Sequence, residues 1–252
     1  MLDPKAQSKG KRAAVMPLVL DRPLSEGDKV AVVDDVQEDA AMTASLVSEA
    51  GFEPVVITPP LPSLDSLLSD IRKSARAVVC DHRLSDRGRV KYYGAEVVAR
   101  SNQQHFPAVL ITTYADVDYE SIRLWRAGIP CMLKRGREAG PDEIIEALNR
   151  TEKEVYGVFS PERKPYRAVV RVENIKPSAR FGVAEVVVSA WNPAEVIEIP
   201  VELIRRDLKE PKVVSGGSRY MADVNIFAPS PDELYFRNFE PAPEIPEGWP
   251  EG

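Results

Sequence analysis

From Lys29 to about Tyr156 short β-branched runs alternate with amphipathic segments, and this alternation restricts the fold more than any other feature of the chain. "KVAVVDD" reads as a buried strand, and "EDAAMTASLVSEAG" as a helix that stops at Gly51, where glycine tolerates the left-handed conformation that ends helices. "EPVVIT" is a second strand, "SLDSLLSDIRKS" a helix with Ser63 at its N-cap, and "RAVVCD" a third strand. After a loop come the helix "GAEVVARSNQ", the strand "PAVLITT", a helix around "DYESIRLWRAG", the strand "PCMLK" and the helix "PDEIIEALNRTEKEVYG". Five βα units require right-handed crossovers over a parallel sheet with helices on both faces, and such folds bind ligands beyond the carboxyl ends of their strands.

From about Ser160 the helical periodicity fades and prolines recur. "YRAVVRVENI", "FGVAEVVVSAW", "EVIEIPVELI", "SRYMADVNIFA" and "ELYFRNF" read as strands, and Val169, Arg171 and Glu173 alternate with Val170, Val172 and Asn174. This suits an antiparallel sheet with one wet face, expected here as a small sandwich or barrel. The 252 residues therefore divide into an extension (1–28), an α/β domain (29–157), a β-rich domain (158–240) and a tail (241–252) rich in proline and acid. Trp191, Tyr220, Phe227, Tyr235, Phe236 and Phe239 read as core of the β-rich domain before they read as a binding surface.

A net charge of −6 gives no general attraction to nucleic acid or anionic lipid, so nucleic acid is a disfavoured partner. No apolar run reaches the roughly 18 residues of a membrane helix. Cys80 and Cys131 are too few for a disulfide framework and lack metal-ligand spacing, which suits a reducing, cytoplasmic location. His82 and His105 are isolated and read as structural or surface residues.

At the strand ends the polar residues form one set: Asp34 and Asp35 after the first strand, Asp81 at the third, Thr112 or Thr113 at the fourth, Lys134 at the fifth. Three clustered carboxylates raise one another's pKa and call for a cation, and a hard divalent ion with oxygen ligands meets that need. In "VVDD", "VVCD", "LITT" and "CMLK" residues 29–157 resemble the response-regulator receiver domain of two-component signalling. The resemblance implies a flavodoxin-like doubly wound five-stranded sheet. It further implies Asp81 as phosphoacceptor, Thr112 and Lys134 as groups that meet the phosphate, and Mg2+ held by Asp34, Asp35, Asp81 and the backbone carbonyl of Arg83.

Four departures mark the chain. The loop "HRLSDRGRVKYYG" is longer than the family's and has Ser85 at a usual proline; Arg83, Arg87, Arg89, Lys91, Tyr92 and Tyr93 gate phosphodonor access, contact a partner or simply form a longer solvated loop. Arg135 follows the lysine where a proline is usual, Cys131 stands where an aromatic switch residue is common, and Thr113 replaces a common alanine. The expectation is a response regulator, not an enzyme on other substrates, that takes a phosphoryl group from a histidine kinase and signals through a protein partner of the β-rich domain; a homodimer stays open. A receiver-like scaffold without phosphoryl switching and a phosphate sink that competes for a kinase are the alternatives.

Overall fold

Val30 to Val33 of β1 (Lys29–Val33) are buried on both faces, as the central position of a parallel sheet requires. The computed structural model describes residues 22–84, 90–113, 119–136, 139–177, 182–208 and 213–243. β2 (Glu53–Ile57), β3 (Ala77–Asp81), β4 (Ala108–Thr112) and β5 (Met132–Lys134) join β1 in one parallel sheet of order β2-β1-β3-β4-β5. That order is the flavodoxin-like one, and it reverses direction between β1 and β3. Asp34 and Asp81 follow from these two neighbouring strands, which brings their carboxylates to the switch point.

Side-chain alternation divides the sheet's two faces. Val30, Val32, Val79, Val109 and Ile111 pack under α1 (Gln37–Glu49) and α5 (Pro141–Val155). Ala31, Val33, Val78, Cys80 and Leu110 pack under α2 (Leu64–Ser74) and α3 (Gly94–Gln103). Gly51 ends α1 with φ +85°, as its position implies. Ser63 sits at the N-cap of α2, but its side chain makes no capping hydrogen bond. The helix expected around "DYESIRLWRAG" is instead two short pieces, α4 (Tyr119–Arg123) and a 3-10 turn at Arg126–Gly128. Between them Leu124 packs against the core of the β-rich domain, and its carbonyl accepts a hydrogen bond from Arg206 Nη1 at 2.7 Å. Tertiary packing overrides the helical pattern there.

The β-rich domain has the antiparallel sheet that the alternation implies, as one five-stranded sheet among the described residues. β6 (Tyr166–Lys176), β7 (Val183–Val188), β8 (Asn192–Pro200), β9 (Arg219–Val224) and β10 (Phe236–Pro241) run in the order β10-β9-β6-β7-β8. The run "EVIEIPVELI" does not stay extended. Pro200 lacks an N–H for a further ladder bond, and α6 (Val201–Arg205) starts behind it to cover the sheet with Val201, Leu203 and Ile204. Ala168, Val170 and Val172 face this core while Val169 and Glu173 face water. The alternation slips at a bulge between Val172 and Asn174, so Asn174 is exposed and Ile175 turns inward. Tyr220, Tyr235, Phe236 and Phe239 are core, whereas Phe227 is exposed against Tyr166.

Besides the apolar contact of Leu124, buried charged groups join the two domains. Arg163, 1% exposed, lies between α5 and β6 and pairs with Glu154 at 2.7 Å. Its carbonyl accepts from Tyr235 Oη at 2.7 Å, and its guanidinium lies over the Tyr235 ring. On α4, Arg123 donates to the carbonyls of Leu234 and Pro231 at 2.6 and 2.7 Å. Removing one member of a buried ion pair strands the other, so Glu154→Gln is expected to lower unfolding free energy by about 3 kcal/mol in urea titrations. The double substitution Glu154→Leu, Arg163→Met is expected to cost less than the single one, because no stranded charge remains.

Candidate functional site

The strand ends converge as their order demands. Asp34, Asp35 and Asp81 each offer a carboxylate oxygen, and these oxygens lie within 4.8 Å of one another. Asp34 is 2% exposed. Its Oδ1 accepts from the Val36 N–H at 2.9 Å, which turns the chain into α1. Asp81 Oδ2 accepts from the Arg83 N–H at 2.7 Å. Gly94 is obligatory beside it. A Cβ at that position would stand 1.7 Å from the Asp81 carbonyl oxygen, because the first turn of α3 passes directly over the end of β3.

Arg135 is a cation that meets two of these carboxylates, Asp34 and Asp81. Its Nη2 donates to Asp34 Oδ2 at 2.7 Å and to Asp81 Oδ1 at 3.0 Å. Its Nη1 donates to Thr43 Oγ1 and to the Asp39 carbonyl of α1, both at 3.1 Å, so the guanidinium is wedged between the sheet and that helix. Lys134 closes β5 in register with Thr112 and is exposed. Successive residues at a strand end point to opposite sides, so when one turns out to solvent the next turns in. Thr112 is buried, and its carbonyl accepts the Arg135 N–H at 3.0 Å, which fixes the arginine's backbone at the crevice.

The electrostatics follow from burial. Burial, then the charge of Asp34, pushes the Asp81 carboxyl up to about 6, against the pull of Arg135 and the Arg83 N–H. Burial raises Asp34 as well, while the Val36 N–H and Arg135 oppose it. Arg135 loses basicity to burial but regains more from Asp34 and Asp81, so its guanidinium stays charged. One guanidinium thus only partly offsets two buried carboxylates, and the third, Asp35, lies beside them. Such a set of oxygens fits a divalent cation in its chemistry, although Arg135 already holds one oxygen of Asp34 and one of Asp81.

The loop and the histidines are packed elements. Tyr92 is buried and donates to the Pro62 carbonyl at 2.8 Å. Tyr93 stacks on His82 with ring centroids 5.1 Å apart. His82 is fully buried, and its Nε2 is hydrogen-bonded to Ser121 Oγ of α4 at 2.9 Å. It therefore links the residue next to Asp81 with the helix that carries Arg123. The isolated histidine gave no sign of this, since Ser121 lies far off in sequence. His105 Nδ1 meets the Val155 carbonyl, and Cys80 and Cys131 are buried. Ser85, Arg87 and Arg89 of the loop lie outside the described residues, as do residues 1–21 of the extension and the tail from 244 onward.

Solved structures similar to this chain include response-regulator receiver domains, which match its N-terminal half. The receiver domain of the Francisella response regulator 1452 is 18% identical, with 51% of this chain and 98% of that one covered and a TM-score of 0.37. A response regulator receiver domain protein of Methanospirillum hungatei JF-1 gives 16%, 52%, 98% and 0.39. One of Clostridium thermocellum gives 17%, 50%, 95% and 0.38. No family model matches the sequence, and no curated protein matches it.

A carboxyl held near 6 in the folded chain and 3.8 in the unfolded one binds its proton more tightly when folded. Stability therefore falls as pH rises from about 4 to about 6, and the charged form costs at most about 3 kcal/mol above that window. Asp81→Asn is expected to raise the melting temperature at pH 7.5 and to leave it nearly unchanged at pH 4, as followed by circular dichroism.

Proposed function

We propose that residues 29–157 are a receiver that accepts a phosphoryl group on Asp81 and passes the change in charge to the β-rich domain. The observation that carries this reading is the meeting of Asp34, Asp35, Asp81, Thr112 and a buried cation at the switch point of a β2-β1-β3-β4-β5 sheet. A carboxylate there can act as nucleophile and form an acyl phosphate. Asp34, Asp35, Asp81 and the Arg83 carbonyl would hold Mg2+, which when bound supplies neutralising charge for the transferring group.

The chain's own residues supply the rest. Asp81 keeps lone pairs on both oxygens while the Arg83 N–H orients it. Arg135, one residue past Lys134, stands as the fixed donor beside the acceptor oxygen, and its planar fork suits a phosphoryl group as well as it suits a carboxylate. Thr112 ends the neighbouring strand β4, and its carbonyl holds the Arg135 N–H. Donors of this kind, arranged before reaction, assist where negative charge moves.

The path to the β-rich domain is short. His82 follows Asp81 and holds Ser121; two residues on, Arg123 grips the Leu234 and Pro231 carbonyls. A phosphoryl group adds charge and acceptor oxygens, which biases any two arrangements of α4 that differ in contact with it. The phosphodonor in this reading is a histidine kinase, and the β-rich domain meets a protein partner. The receiver acts only on itself.

One observation favours a second reading. Arg135 already pairs with Asp34 and Asp81, which would suit a domain that serves assembly without phosphoryl transfer. Acetyl phosphate with Mg2+ and intact-mass measurement separates the two. The receiver reading expects a gain of one phosphoryl group on the wild type and none on Asp81→Asn; an unchanged mass, or equal gain by both, overturns it.

A further inference from the structure

The seam between the domains holds a cavity of about 690 Å3 that is lined by Lys134 of the strand-end set but by none of Asp34, Asp35, Asp81 and Arg135. Its inner wall is cationic. Arg123, Arg126 and Arg163 are 2%, 5% and 1% exposed; Arg163 is in an ion pair with Glu154, whereas among the described residues Arg126 is in none. Among the described residues the Arg126 guanidinium makes one hydrogen bond, from Nη1 to the Ile129 carbonyl, and its buried Nε has no acceptor. Arg150 of α5 also lines the cavity, with one weak bond to Ser160 Oγ at 3.3 Å and an unmet Nε. The acidic lining residues lie outward: Glu143, Glu146 and Asp232 are exposed and Glu233 is half-buried.

Burying a guanidinium without a carboxylate is costly, and neutral carbonyls repay little of that cost. Burial, followed by the charge of Arg163, pushes the Arg126 guanidinium down to about 9. Burial likewise brings Arg123 to about 10. A carboxylate at the wet rim is screened, whereas charge at the dry wall acts at full strength. The volume lies in the range of small-molecule sites, which favour domain interfaces.

We propose that this interdomain cavity binds a small molecule through an oxyanion group, phosphate or carboxylate, received by Arg126 with Arg123 and Arg150 beside it. The bound group accepts the donors of Arg126 that the protein leaves unused. Because Arg123 also grips the carbonyls of Leu234 and Pro231, the ligand fastens the two domains together.

Isothermal titration of the full chain with pyrophosphate and with citrate, in EDTA and at fixed ionic strength, tests the assignment. Saturable binding of either anion to one site per chain is expected, and which of them binds tells a phosphate ligand from a carboxylate one. Arg126→Gln is expected to weaken binding at least tenfold and Arg150→Gln several-fold, with Asp81→Asn unaffected. Arg150 is half-buried on a helix, so its variant reports even if Arg126→Gln folds poorly. The proposal is overturned if neither anion binds more than chloride does, if both arginine variants bind like the wild type, or if Asp81→Asn abolishes binding. None of these outcomes depends on phosphoryl transfer to Asp81.

Discussion

Arg135 between Asp34 and Asp81 is the interaction on which the crevice depends. Two carboxylates are carried to the same point by adjacent strands, and both are largely shut off from water. Without a cation they repel across a medium that screens poorly. The guanidinium answers with one nitrogen on both acids and the other on α1, so a single side chain ties β1, β3, β5 and α1 together. Buried pairs of this kind add less to stability than their Coulomb energy suggests, since each charge is first stripped of water. What they do well is fix geometry, and here they fix the acceptor carboxyl.

A second set of buried charges joins the halves of the molecule. Arg163 with Glu154 and Arg123 with two carbonyls add to the apolar contact that Leu124 makes with the β-rich core. α4 is the element the two sets share. At one residue it touches the crevice through Ser121 and His82, and two residues later it touches the β-rich domain through Arg123.

Much of this was legible in the sequence. β-branched runs buried on both faces gave the parallel sheet, and the strand-end positions of Asp34, Asp35 and Asp81 gave the cluster of carboxylates, because the switch point brings the ends of β1 and β3 together. Arg135 was legible only as a departure from proline. Its role comes from length and direction, since an arginine at a strand end can reach back several ångströms while the preceding lysine turns outward. The break after α4, the bulge near Glu173 and the turn from β8 into α6 were hidden for a related reason. Each is set by a partner distant in sequence: the β-domain core for Leu124, the register of β7 for Glu173, and the sheet face that α6 covers for Val201.

If Arg135 is the built-in counter-cation of the crevice, a divalent ion and the guanidinium compete for the same carboxylates. The direct measurement is Mn2+ binding by electron paramagnetic resonance to the wild type and to Arg135→Ala and Arg135→Gln, with Asp34→Asn as the control that loses a ligand. The account predicts at least tenfold tighter binding in both arginine variants and weaker binding in the control. Equal affinity in wild type and arginine variants would contradict it.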